Sequence, residues 1–380
     1  RVLAKRGVSI NHCDTYDFEK LSLVLRRPLC VGYLVRHKDT EALLLQRAYV
    51  KRNLEMHNRF SQCQSERRLL LETRHPFIVY LLRTFQDAAH VYFLEEWLPG
   101  GDVLSLICRE QARGRNIPPE QAKMYASCTL LALGSLRLRD IVCRSVTPEN
   151  VFIASNGLAK LANFHFAKKL HGAKTFTVFG TPEYMPPEQI FGAGQTCASD
   201  LWQFGIFIHE MLVGHTPFHV PDSDASSHQR VYANILMGYA EHQSALVTDN
   251  SAQLLLDCLL VPDGSRRLGA KEISDLNSAG WFKDVNMGAL YDQRVDTLPK
   301  ESLWVPPFNR ENLSQWYMTK SKSDMKILVN GIEVKEDVSN DDTCHEPSGP
   351  PRTFGDDDGA DDAMSGPNLA QYQRHWYDEF

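Results

Sequence analysis

The sequence predicts an α+β fold of two lobes, a small β-rich lobe followed by a larger helical one. Three observations carry this expectation. Residues 17–98 hold short apolar runs of strand length, Leu21–Leu25, Leu43–Leu45, Ile78–Leu82 and Val91–Leu94. One helical stretch, Glu55 to Glu72, lies among them and suits a helix laid across a small sheet. From Asp102 to Phe282 the apolar spacing turns helical.

The elements follow in order. Residues 1–16 read as an N-terminal extension, 17–98 as the first lobe, 99–285 as the second and 286–380 as a tail. Leu98-Pro99-Gly100-Gly101-Asp102 is a turn-rich crossover between the lobes. Pro118-Pro119-Glu120 opens a helix that runs through Leu138, because proline suits the first helical turn. Ser199 and Asp200 open another that runs to Leu212. Ser323–Val338 suits a small hairpin around Asn330-Gly331. About residues 322–368 form an insert carrying Asp341-Asp342, Asp356-Asp357-Asp358 and Asp361-Asp362, with little to bury.

Composition excludes several classes. A chain of 380 residues buries a substantial core. A net charge of −6 argues against a nucleic-acid or anionic-membrane binder. Arg26-Arg27 and Lys51-Arg52 are too sparse for nucleic-acid recognition. The apolar runs are too short to span a bilayer. Nine scattered cysteines without a Cys-x-x-Cys pair suit reduced thiols, and with no secretory signal visible the expectation is an intracellular, cytoplasmic protein. The acidic insert lacks the alternating ligands and terminal glutamate of a calcium loop, and Cys143, His165 and His171 lack metal-ligand spacing. No metal and no cofactor is expected. Because the chain starts at Arg1 rather than Met, a larger protein with upstream domains is expected.

Five blocks occur in a specific order. Cys143-Arg144-Ser145-Val146-Thr147-Pro148-Glu149-Asn150 comes first, then Ala162-Asn163-Phe164-His165-Phe166. Gly180-Thr181-Pro182-Glu183-Tyr184-Met185-Pro186-Pro187-Glu188 follows, then Asp200-Leu201-Trp202-Gln203-Phe204-Gly205, then Ser265-Arg266-Arg267-Leu268-Gly269. Together they resemble the AGC group of protein kinases, and within it the cGMP- and cAMP-dependent kinases. The resemblance covers about Tyr16 to Trp316 and the last five residues. It implies a protein-kinase-like bilobal fold with an AGC-type tail.

The resemblance also assigns places to residues that depart from the family pattern. Ser145 stands where the catalytic loop carries its aspartate, and a serine hydroxyl is no general base near neutral pH without a base of its own. Thr147 replaces the loop lysine, while Asn150 keeps the accessory metal-side position. Asn163 replaces the magnesium-binding aspartate of the Asp-Phe-Gly turn and His165 its glycine. Arg47 stands at the phosphate lysine, with Glu66 as its helix partner, and the two are expected to form a structural ion pair. Glu95 takes the gatekeeper position, and Leu45 and Phe152 face the adenine slot. Leu25-Arg26-Arg27-Pro28-Leu29-Cys30-Val31-Gly32 takes the place of the glycine-rich hairpin, whose glycines let backbone N–H groups approach the phosphates.

Other family features recur. Leu70, Leu81, Cys143 and Phe164 match the apolar spine between the lobes, with Asp200 at its base. Thr177 sits at the activation-loop phosphosite, with Arg144 and Lys168 as basic partners. Asp102, Glu149 and Glu210 match acids that bind basic substrate residues, and Val178, Pro182 and Met185 the apolar pocket beside them. Trp376 and Phe380 match a terminal hydrophobic motif.

The functional expectation is a catalytically inactive pseudokinase, not an enzyme, serving as a scaffold or regulatory module. Its partner would be a protein, either a basic peptide segment or an upstream regulatory domain. The alternative is an unconventional, low-activity serine/threonine kinase of the cyclic-nucleotide-dependent type.

Overall fold

A computed structural model of the chain describes residues 15–220, 227–242, 247–293, 328–329 and 332–333. The first lobe is a five-stranded antiparallel sheet in the order β1-β2-β3-β5-β4. Its strands are β1 (Phe18–Arg27), β2 (Cys30–His37), β3 (Leu43–Val50), β4 (Leu81–Gln86) and β5 (His90–Glu96). β1 and β2 are joined by Pro28-Leu29 alone, so Arg27 pairs with Cys30 at the hairpin tip. Proline serves there because a turn position needs no N–H.

The helical stretch expected over Glu55 to Glu72 is two helices, α1 (Lys51–Met56) and α2 (Phe60–Glu72). Asn58 breaks it with φ of 51°, a left-handed conformation that asparagine tolerates better than most residues. Leu54 of α1 and Cys63 of α2 are both buried, although on one continuous helix they would lie on opposite faces. Ile78 lies outside β4 and instead bridges Leu161 in parallel.

The second lobe is built on α3 (Val103–Gln111), α4 (Pro119–Arg137), α5 (Cys197–Val213), α6 (Ser227–Met237) and α7 (Asn250–Leu259). α4 begins at its proline, as the sequence predicts. α5 starts on a capping box between Thr196 and Ser199 and ends on Gly214 at φ of 95°. A Cβ at Gly214 would also meet the Gln111 side chain, whose amide donates to the Gly214 carbonyl at 2.8 Å. α5 is apolar nearly all round, and Trp202, Phe204 and Phe207 are fully buried. Arg267 clamps this lobe by a two-pronged pair with Glu188 at 2.8 and 2.7 Å.

Two short ribbons carry the site, β7 (Val151–Ile153) on β8 (Ala159–Leu161) and β6 (Ile141–Val142) on β9 (Lys168–Lys169). Beyond residue 293 only Leu328–Val329 and Ile332–Glu333 are described, paired antiparallel as the Asn330-Gly331 turn signal predicts. Trp376, Phe380 and the rest of the acidic insert lie outside the described residues. The α+β, two-lobe expectation is borne out. No helix among the described residues is long and apolar enough to cross a membrane.

Candidate functional site

The cleft between the lobes is lined by Leu25, Leu45, Glu95, Leu98, Phe152 and Ala162 among others. Its volume is about 30 Å³, room for a water or two. Small-molecule pockets start at roughly 300 Å³. An adenine ring therefore enters only if Leu25, Leu45 or Phe152 moves.

Behind the slot lies a buried polar cluster. Arg47 Nη2 reaches Glu66 Oε1 at 2.8 Å, and Arg47 Nε reaches Glu95 Oε1 at 3.1 Å. Arg47 Nη1 donates to the Tyr49 hydroxyl at 2.6 Å, and that hydroxyl donates to Glu66 Oε2 at 3.0 Å. β-sheet pairing sets this up, because Arg47 on β3 pairs with Phe93 on β5, and Glu95 lies two residues further along on the same face. Burial opposes the charged form of Glu66, but Arg47 and the nearby His165 hold its carboxyl down at about 2. Burial pushes the Glu95 carboxyl up despite the same guanidinium. Two carboxyl groups thus share one cation, and Arg47 is fully engaged away from the phosphate region.

The catalytic-loop frame is well anchored. Asp200 accepts from the backbone N–H of Cys143 at 2.7 Å and of Arg144 at 2.8 Å. The Asn150 amide donates to the Ser145 carbonyl at 3.1 Å and to Thr147 Oγ1 at 2.8 Å. Ser145 Oγ donates to the Asn163 carbonyl at 3.4 Å. Asn163 sits at φ of 59° and gives its amide to Asn150 Oδ1 at 2.9 Å. Leu70, Leu81, Cys143 and Phe164 are buried in one core cluster.

A magnesium ion does not fit this set of donors. The two side chains facing each other at the metal position are carboxamides, and a hard cation favours carboxylates. Asn150 Oδ1 already accepts from Asn163 and, at 3.2 Å, from Arg27 Nη2. Among the described residues no group of three or more His, Cys, Asp or Glu is placed to hold a metal.

The activation segment is held without phosphate. Arg144, buried, gives Nε to the Phe166 carbonyl at 2.6 Å and Nη1 to Thr175 Oγ1 at 3.2 Å. It also lies 4.2 Å from the Phe179 ring centroid. Thr177 and Lys168 are exposed. Arg144 thus spends Nε and Nη1 on partners other than Thr177.

The acids expected to bind a basic peptide differ among themselves. Asp102 is only 3% exposed and caps α3 by accepting from Ser105 N at 2.7 Å, so it serves the helix first. Glu149 is half-buried. Glu210 is buried on α5 and accepts from the Tyr184 hydroxyl. Burial, together with Glu149 and Glu183 nearby, pushes the Glu210 carboxyl up to about 8 despite that donor. Val178 is exposed and Pro182 half-buried, whereas Met185 is buried and lends only its backing.

A pH dependence follows from Glu210. Its folded value lies above the ordinary 4.5, so between pH 4.5 and 8 the folded state keeps a proton that the unfolded state releases. Its stabilising contribution is complete at the acid end and is lost as pH rises across that window. Glu210→Gln should make the fall of urea stability from pH 5 to 8 shallower, by up to about 1.4 kcal/mol per pH unit. An unchanged slope would place the proton elsewhere.

Sequence reasoning missed Arg27, Tyr49 and Tyr184 as site residues. The signal for Arg27 was its place at the tip of the hairpin, where the phosphate-binding glycines otherwise stand. Tyr49 and Tyr184 gave none, because a tyrosine at strand or turn spacing reads as core.

Comparison with known proteins fits this geometry. The protein kinase domain family matches residues 30–278. The cAMP-dependent protein kinase catalytic subunit of Dictyostelium discoideum is 38% identical over 73% of this chain and 41% of its own length. That of Arthrobotrys oligospora is 32% identical over 72% of this chain and 50% of its own. The cGMP-dependent protein kinase of Plasmodium berghei is 32% identical over 68% of this chain and 29% of its own. The chain thus spans half or less of the length of these relatives. All three are named as protein kinases, which overturns the expectation that this domain is not an enzyme.

Proposed function

Because the chain belongs to the protein kinase family, we propose that it is a low-activity serine/threonine kinase domain of the cyclic-nucleotide-dependent type, acting on basic peptide segments. The observation that carries this reading is the anchored catalytic loop. Asp200 fixes its backbone from below, and Asn150 ties Ser145 to Thr147 from the side. Phosphoryl transfer proceeds through a loose transition state, for which positioning and charge supply most of the acceleration. The oxygen of a peptide serine or threonine bonds to the terminal phosphorus of a nucleoside triphosphate, and the bond from that phosphorus to the bridging oxygen breaks. The hydroxyl proton passes to water, since Ser145 is no base. Loss of general-base help slows such a step by about 10²- to 10⁴-fold, against kinase turnovers of about 1–100 s⁻¹.

Substrate choice rests on Glu149 and Glu210, with Val178 and Pro182 as an apolar contact. An arginine docking at Glu210 would draw off its proton and then pair with the carboxylate. Such attraction sets specificity and weakens with salt. The same groove is where a basic segment of a partner or of an upstream domain would sit.

The test is a peptide assay with ATP, read by mass spectrometry. The purified chain is expected to form phosphopeptide slowly, in proportion to its concentration, and Asn150→Ala is expected to lose the signal. No phosphopeptide above the buffer control, or an equal yield from Asn150→Ala, would remove the kinase reading.

A further inference from the structure

We infer that Arg27 is the chain's own phosphate-binding cation, so that the cleft takes the polyphosphate end of a nucleotide free of divalent metal. The inference deepens the kinase reading and rests on its view of the cleft as a phosphoryl site. The two fail separately, because one is read by binding and the other by turnover.

Arg27 ends β1 at the tip of the first hairpin. From there it crosses to the second lobe, where Nη2 donates to the Glu149 carbonyl and to Asn150 Oδ1, each at 3.2 Å. A positive group therefore already sits on the amide oxygen that a metal would need. A second cation at that oxygen would face the guanidinium at close range, and like charges repel.

The charge of Arg27 is not spent on the protein. Both of its hydrogen bonds go to neutral oxygens and both use Nη2. Among the described residues it forms no ion pair, although a guanidinium offers five N–H donors in a fork suited to phosphate. The side chains linked to it through Asn150, those of Thr147 and Asn163, are neutral, and Glu149 in the same loop offers it only a backbone carbonyl. Where two carboxylates would make this a cation site, the position holds two carboxamides and a guanidinium, a set of donors that suits an anion. Arg47 cannot serve in its place, being bound by Glu66 and Glu95.

The base slot supplies the second half of the argument. With about 30 Å³ between Leu45 and Phe152, a purine gains no pocket in this conformation. Recognition then falls to the phosphates, and inorganic tripolyphosphate should bind as a nucleotide does.

The experiment uses the full chain with millimolar ATP or inorganic tripolyphosphate, in EDTA and again in excess Mg²⁺. Ligands of the folded state raise its melting temperature by mass action. Both anions are expected to raise it in EDTA, and less so in Mg²⁺, which screens the phosphates. Arg27→Ala should weaken binding of both at least tenfold, and Arg27→Lys should keep part of it. Should Arg27→Ala melt early without ligand, calorimetric titration at low temperature gives the same comparison on folded protein. A rise that requires Mg²⁺ overturns the inference, as does a rise unchanged by Arg27→Ala or the lack of any rise. A rise with ATP alone would move recognition to the base and overturn it as well.

Discussion

Replacing Ser145 by aspartate is expected to raise peptide phosphorylation by about 10²-fold or more, the usual worth of a placed general base. The backbone at this position is already fixed. Asn150 holds the Ser145 carbonyl at 3.1 Å, and Asp200 holds the two residues before it. A carboxylate at 145 would project from that frame toward the place of the substrate hydroxyl. The hydroxyl it replaces makes only a 3.4 Å bond to the Asn163 carbonyl and a 3.8 Å contact with Cys143 Sγ, so little is lost. The check is kcat on one basic peptide for wild type and Ser145→Asp, with melting temperatures to show that both are folded. A rate that does not change would mean that the loop does not bring the acceptor hydroxyl to residue 145.

Removing the guanidinium of Arg47 is expected to be the most damaging single change to stability. Glu66 and Glu95 are both buried, and Arg47 is the cation that bonds each of them. Arg47→Ala leaves two carboxyl groups out of water without it, and breaking a buried pair in this way costs about 3–5 kcal/mol. Arg47→Lys should fall between, since one ammonium cannot reproduce a planar fork that meets Glu66, Glu95 and Tyr49 at once. Arg47→Met combined with Glu66→Gln and Glu95→Leu should recover most of the loss, because apolar or neutral replacements remove the desolvation cost. Urea unfolding at pH 7 decides the matter. A loss below about 1 kcal/mol for Arg47→Ala would show that water reaches the cluster, as at an exposed pair.

Arg47 and Arg27, both on the first lobe, are used differently. Arg47 belongs to the frame, tied to three partners and turned from the phosphate region. Arg27 belongs to the opening and keeps donors to spare. Arg47 is spent on two buried carboxyl groups, whereas Arg27 bonds two neutral oxygens through Nη2.

Local pattern made the frame legible in the sequence. Strand-length apolar runs gave the first lobe, and helical spacing gave the second. Pro119 started α4 where it was expected, and the Asn330-Gly331 signal lay between two paired strands. Such features depend on residues a few positions apart, so the chain declares them by itself. The break at Asn58 was less legible, because one residue of positive φ leaves the apolar period on both sides nearly intact.

Partner choice among long charged side chains was decided only by the tertiary structure. The sequence placed Arg47 opposite Glu66, but Glu95 entered as a second partner through the pairing of β3 with β5. Arg144 turned to Thr175 and the Phe166 carbonyl, and Asp102 to the N-terminus of α3. Arg27 met Asn150 across 123 positions of chain. A buried or half-buried charge takes whichever partner lowers its desolvation cost most, and that depends on distances in space which no spacing along the chain encodes.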